Sequence, residues 1–316
     1  MEYSMSHNDA SHIFAAAISD IQGFWTTLVE SHRASHTIPA LDYTIEQIVS
    51  LLTFWLPCTI FVLLEVLPIP ALRRWSKRHR LQQNAAPWTA GDLWHCVLVV
   101  GRNQLISSGI GLSKVLRGKQ SHSFEPPIPS IWRVLWEFAA CFAAREVLFY
   151  YSHRLLHHRR VYSWVHKVHH RWVCRILLLY MVLFDDVDGK LCRFTAPIAL
   201  SAQYAHPVEH IVANLLPIAL PAQILRIHAL TWYAVSCGEL LETSIVHSGF
   251  DFFARLAEFH DLHHELFRVN FGAVGVLDWY HGTAFYRSRS CKVNLEGSQV
   301  RAGEVNTNIM NQDKIE

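Results

Sequence analysis

The chain has 316 residues, of which 51% are hydrophobic and only 17% charged; ordinary soluble domains carry roughly 25% charge, so composition favours a membrane protein. A net charge of +2 gives no case for nucleic acid as a partner. The seven cysteines (Cys58, Cys96, Cys141, Cys174, Cys192, Cys237 and Cys291) form no CxxC pair, which argues against a disulfide scaffold and for a reducing compartment.

Residues 1–45 read as a polar N-terminal segment in which His7, His12, His32 and His36 are solvated, with no cleavable leader pattern. Residues 46–128 read as N-terminal membrane helices. Ile48 to Leu67 is the clearest span, carrying Glu65 as its one charge. It stops at Pro68 and Pro70, and the basic run Arg73, Arg74, Lys77, Arg78, Arg80 marks a cytoplasmic end. Leu93 to Leu112 is a weaker span, interrupted by Arg102, Asn103 and Gln104. Ile131 to Tyr151 holds Glu137, Arg145 and Glu146, charges that within membranes face a bundle interior or a cavity. Ile211 to Leu225 and Ala229 to Val246 read as a hairpin entering the membrane and returning, and residues 286–316 as a polar tail. The expected fold is all-α, with multi-pass membrane helices and a cytosolic histidine-lined cap. Lys114, Arg117 and Lys119 oppose the cytosolic orientation, whereas the basic run at 73–80 supports it.

Histidine carries the chemistry. Of 21 histidines, nine fall in three clusters: His153, His157 and His158; His166, His169 and His170; His260, His263 and His264. Spacings of three and four put imidazoles on one helical face. Neutral imidazole is the commonest metal ligand and suits iron, copper and zinc. The number exceeds what one ion can hold, so two metals are expected. If all three clusters meet, an even number of crossings separates the second from the third, and the hairpin supplies it. His79, His95, His122, His210 and His228 read as idle.

The segments FYYSHRLLHH (149–158), HKVHH (166–170), TAPIALSAQYAHPVE (195–209), LLETSIVHSG (240–249), HDLHH (260–264), NFG (270–272) and LDWYHGT (277–283) resemble the fatty acid hydroxylase and sterol desaturase superfamily, most closely its methylsterol monooxygenases, the sterol C-4 methyl oxidases. One HxxHH is a weak signal; three in order are specific. The resemblance implies a catalytic domain over 129–285 that binds two iron ions through histidines, activates O2, and oxidises a C–H bond of a sterol or related lipid. It adds His247 and His206 to the nine cluster histidines as ligands. It places Glu146 where an acidic residue would hold a ligating imidazole; the alternative is a pair with Arg145. Asp261 and Asn270 are further residues expected to back the ligands. His281 closes the domain. Electrons would come from NAD(P)H through a separate b-type cytochrome and its reductase, and the setting would be the endoplasmic reticulum membrane. Histidine ligands survive oxidising chemistry better than thiolates, which favours iron, although such a site can capture zinc on overexpression.

The chain departs from this pattern at Trp172 to Arg193, WVCRILLLYMVLFDDVDGKLCR, which parts HHR from FTAP. Its apolar core Ile176 to Phe184 is too short to span a bilayer, and Asp185, Asp186 and Asp188 read as a surface patch. It reads as an insertion, on the hypothesis of translated intron sequence; a dominant spliced transcript encoding it would sink that idea. Three functional readings remain: a lipid or sterol oxygenase, which includes hydroxylation and desaturation of acyl or specialised terpenoid substrates; a zinc transporter or sensor; and an inactive homologue that keeps its metal.

Overall fold

Proline punctuates the helices of this chain, and the two described helices long and apolar enough to cross a membrane both change pitch beside one. The computed structural model describes residues 7–82, 88–171, 197–251 and 255–286, with backbone only for 7–11, 13–15 and 171. The Trp172–Arg193 segment, Cys174, Cys192 and Cys291 lie outside the described residues, as does the tail from 287 onward. Chain contacts divide it into a unit of residues 1–284, to which everything below belongs, and a second of 285–316.

Among the described residues the architecture is all-α, as expected, with no strand beyond isolated bridges such as Arg80 with Phe250. Helix α1 spans His7–Ala34. It buries Trp25 and Val29 against Phe124, Ile38, Ala229 and Tyr233. Helix α2, Ile38–Val66, starts well before the expected span. Its turn Leu51–Trp55 is π-helical and directly precedes Pro57. Helix α8, Pro207–Leu225, repeats the device with a π turn at His210–Leu215 before Pro217. Proline has no N–H and its ring crowds the carbonyl four residues back, so a widened turn keeps the helix continuous.

Between them lie α3 (Pro70–His79), α4 (Ala90–Leu116), α5 (Ile131–Leu156) and the short α6 (Arg159–Tyr162) and α7 (Lys167–Arg171). A capping box of Thr89 with Asp92 starts α4, and Ser130 caps α5, satisfying N–H groups that have no partner within the helix. Helix α9 is Ala229–Val246, α10 Arg255–Leu266 and α11 Val276–His281. Helices α8 and α9 follow one another as the expected pair, of which α8 alone is apolar enough to cross a membrane: Arg226 in left-handed conformation ends the first and His228 caps the second. Both pack on α5.

By length and composition two of the described helices could cross a membrane, α2 and α8. Large apolar side chains stand exposed on α2 (Leu51, Leu52, Leu56), α4 (Leu105), α5 (Trp132, Trp136) and α8 (Ile224). Apolar area on this scale is costly in water and costs nothing against hydrocarbon. Four cysteines, Cys58, Cys96, Cys141 and Cys237, are free thiols.

Candidate metal centre

The end of α5, the turn and helix following it, the end of α9, and α10 bring nine imidazoles into two adjoining groups. His153, His157, His166, His170 and His263 form one; His169, His247, His260 and His264 form the other, with ligand atoms in each within 4.8 Å of one another. The groups touch: the rings of His170 and His264 lie 5.0 Å apart. The helical repeat explains the division. His166 and His170, at i and i+4, serve the first group, and His169 between them turns to the second. On α10 the roles reverse, with His260 and His264 in the second group and His263 in the first.

The outer ring nitrogens are pinned. His153 Nδ1 lies 2.7 Å from the Phe271 carbonyl oxygen, His263 Nδ1 2.7 Å from that of Val269, His169 Nδ1 3.1 Å from that of Tyr204 and His247 Nδ1 2.9 Å from that of Thr243. A carbonyl only accepts, so each Nδ1 carries the proton and each Nε2 presents a lone pair. His166 Nδ1 is held by the Glu209 carboxylate at 2.7 Å. The Nε2 atoms then face one another: His166 is 3.1 Å from His153, 2.9 Å from His157 and 3.0 Å from His170. His260 Nε2 is 2.9 Å from His247 and 3.0 Å from His264. Converging lone pairs repel unless a cation lies between them. Metal–imidazole bonds of about 2.0–2.1 Å put neighbouring ligand nitrogens roughly 3 Å apart, so the donor set fits one ion per group.

Burial disfavours the charged form throughout, and neighbouring imidazoles reinforce it at every ring but His169. It takes His263 and His247 down to about 3 and His169 to about 4; His166, His170, His260 and His264 are lowered well below the ordinary value. The rings are therefore neutral at pH 7, with lone pairs free for a metal ion. The sign of the pH dependence follows. An unfolded chain protonates its histidines near pH 6.5, whereas in the folded metal-free protein His263, His247 and His169 do so only near pH 3–4 and the other four well below the ordinary value. Stability of the metal-free protein is full above pH 6.5 and drains away as pH falls through that window. Thermal unfolding of chelator-stripped protein between pH 8 and pH 4 should show a falling midpoint; a flat profile would contradict the burial of neutral rings.

Two expected ligands stand outside both groups. His158 is exposed and caps α6, its Nδ1 accepting from the Arg160 N–H at 3.4 Å. His157 of the first group already ends α5, so the next side chain leaves the face that the grouped histidines share. His206 is half-buried and caps α8, accepting from the Val208 N–H at 3.2 Å. Both placements have one cause: these rings satisfy helix-start N–H groups. His247, expected from the resemblance alone, is brought into the second group as the C-cap of α9.

Glu146 does neither thing expected of it. Its carboxylate accepts the backbone N–H groups of Ala273, Val274, Val276 and Leu277 at 3.0–3.3 Å, while Arg145 pairs instead with Glu239 and Glu242. Asp278 accepts from the Phe271 and Gly272 N–H groups in the same loop. A Cβ on Gly272 would lie 2.7 Å from both carboxylates, so only glycine fits. This loop delivers the Phe271 carbonyl to His153, and Glu146 acts on that ring through it. Glu146→Ala would leave buried N–H groups without partners, each worth about 1–3 kcal/mol. The expected loss is about 3 kcal/mol or more, read as a lower melting temperature with reduced metal content.

Asp261 accepts from Gln82 Nε2 at 2.9 Å, and Asn270, at φ 58°, donates to the Phe259 carbonyl at 2.8 Å; both brace the backbone around α10. His281 ends α11, stacked on Tyr150 and 3.0 Å from the Tyr151 hydroxyl. Of the histidines read as idle, His79 meets Asp251, His95 meets Tyr204, His210 meets Ser107, and His228 caps α9. His122 joins Asp42 and Glu46 in a separate polar cluster. Glu209 escaped the sequence reading although it lies inside AHPVE: its partner His166 is 43 residues away, and no local spacing links them.

Residues 192–283 match the model of the Fatty acid hydroxylase family. The chain is 38% identical over 160 residues to human fatty acid hydroxylase domain-containing protein 2, covering 49% of this chain and 40% of that protein. It is 31% identical to a fatty acid hydroxylase of Mycosarcoma maydis (65% and 48% covered) and 26% identical to the C-4 methylsterol oxidase of Schizosaccharomyces pombe (65% and 64% covered). The chain thus spans between 40% and 64% of the length of these relatives. No solved structure matches it significantly.

Proposed function

From this resemblance to the fatty acid hydroxylase and sterol desaturase superfamily, methylsterol oxidases included, we propose that the protein is a membrane-bound non-haem di-iron oxygenase acting on a C–H bond of a sterol or related lipid. The observation that carries the reading is the pair of neutral histidine groups opening onto a cavity of about 470 Å3 between the helices, lined near the centre by His153, His166, His169, His247 and His260. When bound there, two irons would supply the activation of O2 and the oxidising power for the C–H bond. Neutral ligands leave the ions their positive charge, and no cysteine is among the donors to be oxidised in turn.

The protein's own part is position and dryness. Phe149, Leu240 and Val246 line the cavity beside the ligands, giving a lipid skeleton an apolar wall and keeping bulk water from the reacting carbon. The pinned Nδ1–H groups hold the rings in register while a substrate enters. The reading includes a multi-pass setting in the endoplasmic reticulum membrane, with the centre facing the cytosol. Exposed Arg73, Arg74, Lys77 and Arg78 on α3 support that orientation. Electrons would arrive from NAD(P)H through a b-type cytochrome and its reductase.

The 4-methyl group of a sterol is the favoured target, on the similarity to the Schizosaccharomyces pombe enzyme. The 31% identity to a fungal fatty acid hydroxylase favours a second reading, an acyl chain. Expression in a host lacking its own C-4 sterol methyl oxidase, followed by sterol analysis, separates them. Loss of accumulated 4,4-dimethyl sterols is expected; their persistence beside a folded, iron-loaded protein would count against C-4 oxidation. Iron content with NADH- and O2-dependent turnover distinguishes an oxygenase from a zinc transporter or an inactive homologue.

A further inference from the structure

The cavity holds a second polar layer, well removed from the metal ligands. Arg145 stands eight residues before His153 on α5, and Glu239 eight residues before His247 on α9. At 1.5 Å of rise per residue both lie about 12 Å along the bundle from the ligand layer. Both line the cavity, as does Glu242, with Phe149, Leu240 and Val246 in the intervening wall. Here one guanidinium serves two carboxylates. Arg145 is hydrogen-bonded to Glu242, and its Nε approaches Glu239 Oε2 at 2.8 Å without the alignment of a hydrogen bond. Glu239 is 1% exposed, and neither of its oxygens has a hydrogen-bond donor among the described residues. A buried carboxylate in that state is costly, and a donor entering the cavity would relieve it.

We propose that Glu239, set against Arg145, binds a hydroxyl group of the lipid at a point remote from the carbon that is oxidised. The proposal rests on the lipid-oxygenase reading and deepens it: the site favours lipids that carry a hydroxyl on the order of 10 Å from the reacting carbon, as the layer spacing sets. A hydroxyl is the fitting chemistry, because it donates one hydrogen bond to an unpaired carboxylate oxygen of Glu239, whereas the charge of the carboxylate is already faced by Arg145. A hydroxyl next to a reacting 4-methyl group would sit at the metal end and would not reach this layer.

The test uses the full-length, iron-loaded protein in detergent and two probes: a 4,4-dimethyl sterol, and the same sterol with an added hydroxyl on its five-membered ring. Equilibrium binding is measured for wild type, Glu239→Gln and Glu239→Leu, with iron content and melting temperature as folding controls. A hydrogen bond to a charged group is worth roughly 10-fold or more in affinity. Wild type should therefore prefer the hydroxylated probe by about that factor, Glu239→Gln should keep part of the preference, and Glu239→Leu should lose it. Arg145 keeps Glu242 as its partner in both variants, and the amide variant preserves the shape of the site. Equal binding of the two probes by wild type, or an intact preference in Glu239→Leu, would overturn the subsite while leaving the oxygenase reading standing. Binding of neither probe by folded, iron-loaded wild type would overturn the subsite and the sterol reading together.

Discussion

Replacing His260 with alanine is expected to lower turnover by about a thousandfold or more, the scale on which members of a cooperating catalytic set fail, and to reduce bound metal from two ions to one. His260 is the hub of the second group, its Nε2 2.9 Å from His247 and 3.0 Å from His264. Without it the remaining rings of that group surround a gap on one side. The first group has five rings of its own and is expected to retain its ion. Metal analysis of purified protein checks the stoichiometry, and turnover with NADH, O2 and an electron-donor system checks the rate. Full activity with a single ion, or unchanged metal content, would contradict a two-ion centre. His158→Ala is the matching contrast. That ring is exposed and caps α6, so the change should cost about 0.5–2 kcal/mol of stability at most and leave the metal content at two.

The second large effect is expected at Glu209. Its carboxylate, 3% exposed, holds the His166 Nδ1–H at 2.7 Å and so keeps the Nε2 lone pair of that ring turned into the first group. Glu209→Ala removes that acceptor and lets the proton move to Nε2, where it would block coordination. Groups that orient a ligand in this way are typically worth about 10–100-fold in metal affinity. Competition with a chelator should show a loss of that size, with Glu209→Gln recovering part of it, since its amide oxygen still accepts from Nδ1–H. An affinity unchanged in Glu209→Ala would mean that the tautomer of His166 is set by something else.

How far the centre could be read in advance varies from residue to residue. His153 with His157, His166 with His170, and His260 with His264 stand at i and i+4, and each pair does point into one group. That much follows from a repeat of 3.6 residues per turn. The same arithmetic failed for His158, because a helix ends at His157 and the repeat ends with it. It was also silent on Glu146: a carboxylate beside an arginine suggests an ion pair, but the neighbouring arginine points instead toward α9, and the loop after Asn270 supplies the partners. The apolar runs marked the helices well, most closely α9, expected and found at Ala229–Val246. They did not foresee the N-terminal extension of α2 to Ile38, since polar residues such as Asp42 interrupt the hydropathy there and are buried by contacts with His122 and Tyr233.

By itself, then, the sequence determined an all-helical, apolar chain with histidines enough for two ions, and it determined which of them share a helical face. Those properties are local: they depend on composition and on residues within about one turn of each other. The tertiary structure decided the division into groups of five and four, the exclusion of His158 and His206, and the recruitment of His247. It also decided which carbonyls and which carboxylate orient the rings, through contacts such as His153 with Phe271, 118 residues apart. Contacts of that separation are set by how helices pack, and no repeat along the chain encodes them. The lone pairs of the imidazoles converge only because α5, α7, α9 and α10 meet at one end of the bundle.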